Sequence, residues 1–216
     1  MIMRKQFRIE MKKLHELILN MDMTIKNNID MMITAIKFKD LSLAEKVIKN
    51  DDAVDKLEME IEEFCIDILM RQQPVAKDLR GVTAVLKMIT DLERISDYCG
   101  SVCEHFLKIQ DSYNEECIEK IIQLSKNAKD MFNGMVHGYL EQDSSKIADV
   151  NNKDYISDQI YSDLENYIVK NINAMKPKSA IKTLLMGRAL ERMADHITNV
   201  CEYINFKITG NFKLQD

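Results

Sequence analysis

Apolar residues recur along the chain at intervals of three and four, the spacing of helices that bury one face. From about Arg4 to Lys37, one stripe collects Leu14, Leu17, Ile18, Met21, Ile25, Ile29, Met32 and Ile36. Ser42-Leu-Ala-Glu45 then reads as a capping box, in which hydroxyl and carboxylate satisfy each other's free backbone N–H groups. The helix it opens carries Val54, Leu57, Ile61, Phe64 and Ile68 as a packing seam, and stops before Pro74. A third helix, from about Val75 to Ile109, places Val82, Val85, Ile89, Leu92, Ser96, Cys99 and Cys103 on one face. Ser112-Tyr-Asn-Glu115 repeats the capping-box pattern and opens a fourth helix that fades near Gly138. A fifth is predicted from about Asp143 to Met175. A sixth runs from about Ser179 to Thr209 and closes on Gly210. The predicted class is all-α, with six long helices.

The order helix, helix, proline, helix occurs twice. Asp51, Asp55 and Pro74 move onto Asp154, Asp158 and Pro177 by one shift of 103 residues. Beyond the proline the shift is 98, taking Leu92, Glu93, Arg94, Asp97, Cys103 and Glu104 onto Leu190, Glu191, Arg192, Asp195, Cys201 and Glu202. One five-residue shortening after Pro177 accounts for the change. The chain is a duplication, with its first unit assigned to residues 1–110 and its second to 111–216.

Composition narrows the classes available. With 6 Gly, 2 Pro and no Trp in 216 residues, there is little turn-forming material, and the elements must be long. A net charge of -5, with no strong basic patch, argues against a duplex-binding surface. The segment Met1 to Lys13 is charged throughout, and no apolar run approaches the roughly 18 residues of a membrane span. The five cysteines fit reduced thiols in a cytoplasm. Cys99 and Cys103, one turn apart, read as small apolar fillers rather than a metal pair.

The remaining signal is acidic. Asp51 and Asp55, and likewise Asp154 and Asp158, stand four apart on the second helix of each unit. Glu93 and Asp97, and likewise Glu191 and Asp195, do so on the third. Residues four apart share a helix face, so each motif presents two carboxylates together. If the two helices are antiparallel neighbours, four carboxylates meet and repel unless protons or cations intervene. Oxygen-only ligands suit Mg²⁺, Mn²⁺, Ca²⁺ or Fe better than zinc, and the Glu-x-x-His signature of di-iron bundles does not occur. His196 follows Asp195 but has Tyr98 in its place in the first unit, and reads as a helix-surface histidine. A metal site competes with solvated acidic pairs, or with simple pairing to Arg94 and Arg192. Recurrence at matched positions raises the metal reading to an equal footing with the solvated pairs. Glycine-rich phosphate loops, a nucleophile elbow and His-Glu-x-x-His do not occur, so nothing asks for an enzyme.

Arg71-Gln-Gln-Pro-Val-Ala-Lys-Asp-Leu-Arg80, followed by Asp91-Leu-Glu-Arg-Ile-Ser-Asp97, resembles the first repeat of the PhoU family. Ala189-Leu-Glu-Arg-Met-Ala-Asp-His-Ile-Thr-Asn199, running on to Cys201-Glu202, resembles the second, and the likeness covers nearly the whole chain. It implies two tandem three-helix bundles related by pseudo-twofold symmetry. It also implies metal at Asp51, Asp55, Glu93 and Asp97 in the first bundle, and at Asp154, Asp158, Glu191 and Asp195 in the second. The ions implied are divalent or trivalent and multinuclear, drawn from Fe, Mn, Mg or Zn. Ser96 and Ala194 depart from the glycine frequent in the family, and Ser101 stands opposite Asn199. The role implied is non-catalytic and regulatory: restraint of the ATPase subunit PstB of the phosphate ABC transporter, with negative control of the phosphate regulon through a PhoR-like sensor kinase. The implied protein is a cytoplasmic homodimer that binds no nucleic acid and meets the membrane only through partners. Its rivals are a carboxylate-bridged metalloenzyme, hydrolytic or redox, and a metal-free structural adaptor.

Overall fold

A computed structural model describes residues 2–211, and these form seven α-helices and no strand. They are α1 (Ile2–Phe38), α2 (Leu41–Gln72), α3 (Lys77–Leu107), α4 (Glu115–Glu141), α5 (Ser144–Asn151), α6 (Asp154–Asn171) and α7 (Pro177–Thr209), with a 3-10 turn at Ile172–Ala174. The apolar stripes pack as their spacing predicts. Leu14, Ile18, Met21, Ile25, Ile29, Met32 and Ile36 of α1 are buried, as are Val82, Val85, Ile89, Leu92, Cys99 and Cys103 of α3. All five cysteines are free and buried, the fillers the sequence suggests.

Helices α1, α2 and α3 pack on one another, and α4 to α7 do the same. Helix α3 lies along α7 and α1 touches α4, so the two groups share one core. The α3–α7 contact is antiparallel. Arg80, early in α3, lies against Gly210 at the end of α7, and Ser179, early in α7, donates to the Ser112 carbonyl beyond the end of α3 at 2.6 Å. The turns at Pro74 and Pro177 therefore lie at opposite ends of the molecule.

Four local expectations are corrected. Ser42 does not cap α2: Asp40 does, accepting from the Leu43 N–H at 3.0 Å. Likewise Asn114, not Ser112, caps α4, through Cys117 N–H at 3.0 Å. A short side chain immediately before the first turn reaches the orphan N–H directly. Helix α4 also runs past Gly138 to Glu141, because Gly138 serves packing rather than termination. Pro177 begins α7, and Gly210, at φ 90°, ends it in the left-handed conformation that glycine adopts freely.

The fourth correction matters most. The predicted fifth helix is two, α5 and α6, parted at Asn152 and Lys153. Asn151-Asn152 stand where the first unit has Ile48-Lys49, and asparagine is a weaker helix former. Packing completes the break. Ideal Cβ atoms at Gly134 and Gly138 of α4 would lie 2.6 Å from Val150 and 2.3 Å from Ile147, so the two glycines seat α5 at close range. The shift of 103 still holds at its start. Lys39 (φ 56°) and Asp40 fall on Gln142 (φ 52°) and Asp143, and both aspartates cap.

Candidate metal centre

The first unit's carboxylates come from α2 and α3, which lie side by side after the Pro74 turn. Asp51 and Asp55 on α2 and Asp97 on α3 each offer an oxygen, and all three lie within 4.8 Å of one another. Among the described residues this is the one acidic, cysteine or histidine group so gathered. The charges of Asp55 and Asp97 act on Asp51, the raised member of the group. The Asp51 carboxyl is pushed up to about 6, first by burial, then by the Asp97 carboxyl beside it, with the Ser96 hydroxyl opposing. Glu93, one turn before Asp97, is pushed to about 7 by burial and by Asp97, with Arg94 opposing. Arg94 spans both, at 3.5 Å from Glu93 and 3.1 Å from Asp97.

A polar layer sits beneath the cluster. Ser96 accepts from Asn28 Nδ2 of α1 at 3.1 Å, and Asn28 accepts from Asn50 Nδ2 at 3.3 Å. Buried Asn28 and Ser96 thus tie the three helices together under Asp51. An ideal Cβ on Gly100 would lie 3.9 Å from Asp51 Oδ2, so the carboxylate rests on nearly bare α3 backbone. Above it opens a cleft of about 260 Å³, lined by Asp51, Asp97, Arg94, Tyr98 and Ser101 among others.

Glu58, one turn beyond Asp55, adds a carboxyl that the sequence reading missed. Its pKa is raised by burial, and its charge acts on Glu93. The duplication hid it, because Tyr161 occupies its place in the second unit. The legible signal was the i+3 spacing from Asp55.

The second unit brings Asp154 and Asp158 of α6 and Glu191 and Asp195 of α7 into electrostatic range, without the same convergence. Asp154, in the first turn of α6, is pushed to about 6 by burial, Asp195 and Asp158. Glu191 and Asp195 are also raised, by burial first. The cation is placed differently: Arg188, not Arg192, pairs with Glu191, at 2.8 Å. Below, Ala194 replaces Ser96, and Thr198 stands where Gly100 lies against Asp51. His196 is no surface histidine. Its Nδ1 lies 2.5 Å from Asp91 Oδ1, which also accepts from Asn199 at 3.1 Å, so it joins α7 to α3.

The donor set suits a hard cation. Every group is a carboxylate oxygen, and Asp51 Oδ1 and Glu191 Oε2 are buried with no hydrogen-bond partner. Buried oxygens are ordinarily satisfied, and an unsatisfied one costs about 1–3 kcal/mol. A bound cation would satisfy it and offset the mutual repulsion.

Fold and site together define a duplicated helical bundle with a carboxylate cluster beside a cleft. The chain belongs to the PhoU family: the profile described as PhoU domain matches residues 18–106 and 121–204. The phosphate-specific transport system accessory protein PhoU homolog of Clostridium acetobutylicum is 30% identical over 210 residues, covering 96% of each chain. The PhoU accessory protein of Escherichia coli K12 is 26% identical, over 95% of this chain and 86% of its own. The crystal structure of the phosphate transport system regulatory protein PhoU from Streptococcus pneumoniae superposes with a TM-score of 0.88, at 26% identity, over 97% of this chain and 99% of its own. These relatives are named as accessory or regulatory proteins, not enzymes, and the chain shares that class.

Proposed function

We propose that the chain is an accessory regulator of phosphate uptake that restrains the ATPase subunit of a phosphate ABC transporter and reports phosphate status to a sensor kinase. Relatives named for the phosphate-specific transport system support the setting. The single structural observation behind a metal-dependent form of this role is the convergence of Asp51, Asp55 and Asp97 around an unpartnered Asp51 oxygen. Bound there, a divalent cation would supply positive charge able to hold an anion such as phosphate. The chain's own part is mechanical. Asp51 and Asp55 belong to α2 and Asp97 to α3, so their separation sets how those helices lie. Asn28 and Ser96 pass that position to α1. With the carboxylates unscreened, repulsion loosens the α2–α3 edge; drawn together, they stiffen the surface offered to a partner.

The test is ATP hydrolysis by the transporter's ATPase subunit, with and without this protein, in Mn²⁺ and after chelation. Restraint in Mn²⁺ that weakens after chelation is expected. Equal restraint in both conditions would remove the metal from the reading, and restraint in neither would remove the partner.

A further inference from the structure

Between Glu165 and Glu191 the sequence carries Lys170, Lys176, Lys178, Lys182 and Arg188 and no acidic residue, in a chain of net charge -5. The fold bends this stretch into one end of the molecule, at the Pro177 turn between α6 and α7. Aliphatic side chains stand out from it: Val169 is 71% exposed, Ile172 46% and Ile181 58%. Val169 and Ile172 occupy the last turn of α6 and the 3-10 turn, while Ile181 lies one turn into α7, about 6 Å along its axis. Lys178 stands one turn before both Ile181 and Lys182, at i+3 and i+4 spacing. Neither these two lysines nor Lys170 forms an ion pair among the described residues.

A second exposed group lies at this end. Phe38, 68% exposed at the end of α1, carries Lys37 Nζ 5.3 Å from its ring centroid. Neighbouring Lys39 stacks on Tyr113, in the loop whose Ser112 carbonyl accepts from Ser179. Two of the acidic groups nearby are engaged: Asp40 caps α2, and Glu115 pairs with Lys39 at 2.5 Å. Asp111 faces Tyr113, and its carbonyl accepts from Lys176 at 3.4 Å. The opposite end, at the Pro74 turn, also exposes Met70 and Val75, but interleaves Asp67 and Asp78 with its cations and pairs Asp67 with Arg71 at 3.0 Å. Exposed aliphatics and an aromatic ring among unpaired lysines suit an anionic bilayer surface. The apolar groups enter to about 5–10 Å and the lysines meet lipid phosphates. No helix among the described residues is long and apolar enough to cross a membrane, so such a contact would be interfacial.

We infer that the Pro177 end is a docking surface for anionic lipid, a contact the protein makes itself, independently of its carboxylate clusters. The test is flotation of the full chain with phosphatidylcholine vesicles, alone or carrying about one third phosphatidylglycerol. Expected is binding to the phosphatidylglycerol vesicles only, abolished at high salt. Val169→Ser with Ile181→Ser, or Lys170→Glu with Lys178→Glu, should weaken it at least about tenfold; Met70→Ser with Val75→Ser should not. Because the chain has no Trp, Ile181→Trp adds a single indole whose emission should shift to the blue on those vesicles and stay unchanged on phosphatidylcholine. No binding at low salt, equal binding by the tip variants, or an indole that stays in water overturns the inference. So does a tip variant that loses the transporter complex while wild type never binds vesicles, which would make this a protein-docking face.

Discussion

The two repeats differ most along the stretch that carries Asp-x-x-x-Asp in both. In the first, α2 runs unbroken for 32 residues, and Asp51 sits inside it over a buried serine. In the second, the same stretch breaks at Asn152, and Asp154 starts a new helix over an alanine. Asp51, Asp55 and Asp97 of the first set converge without Glu93, and the second set shares only a field. Duplicated carboxylates thus do not make duplicated clusters. What orients a carboxylate is the backbone that carries it and the layer beneath it.

The sharpest way to break this comparison is metal titration. Asp97→Asn should weaken Mn²⁺ binding by roughly a hundredfold or more, while Asp195→Asn should leave the tightest class of site nearly unchanged. Calorimetry would show it, and equal losses would mean that the repeats are equivalent after all. The next largest effect concerns packing. Gly138→Ala drives a Cβ to 2.3 Å from Ile147, and should cost about 1–3 kcal/mol in urea unfolding. Gly100→Ala in the first repeat meets nothing closer than 3.9 Å and should be neutral, or stabilise α3 by up to about 1 kcal/mol.

The smallest effect is in pH dependence. Asp22, 5% exposed on α1, is pushed to about 7 by burial, whereas the 103-residue shift puts the small hydroxyl of Ser125 in its place. Asp51, Glu93 and Asp154 are also raised, to between about 6 and 7. These groups hold their protons to a higher pH in the folded chain than in the unfolded one. The stabilising term is therefore complete below about pH 4 and is lost as pH rises through about 7. Chelated protein should melt at a lower temperature at pH 8 than at pH 5. Asp22→Asn should flatten that slope by a few degrees; a greater flattening by Asp154→Asn would place the effect in the second repeat instead.

Much of this was legible in the chain. Three- and four-residue spacing assigned the buried faces of α1 and α3, and the shift arithmetic located all eight carboxylates. The α5–α6 break was not legible, because two asparagines weaken a helix without ending one, and the close seat on Gly134 and Gly138 involves a different helix. Glu58 escaped because it has no duplicate. The cation-rich Pro177 end escaped because a net charge of -5 conceals a local run of five cations.

By itself, the sequence determined the helical class, the duplication, the family likeness and the residue types available for chemistry. Those follow from local periodicity and identity, which need no knowledge of neighbours. Tertiary structure decided which repeat gathers its carboxylates, which arginine answers them, and that the two proline turns face opposite ways. Those depend on helices distant in sequence meeting at fixed angles, and a separation of a few ångströms between charges settles whether they share a cation or merely repel.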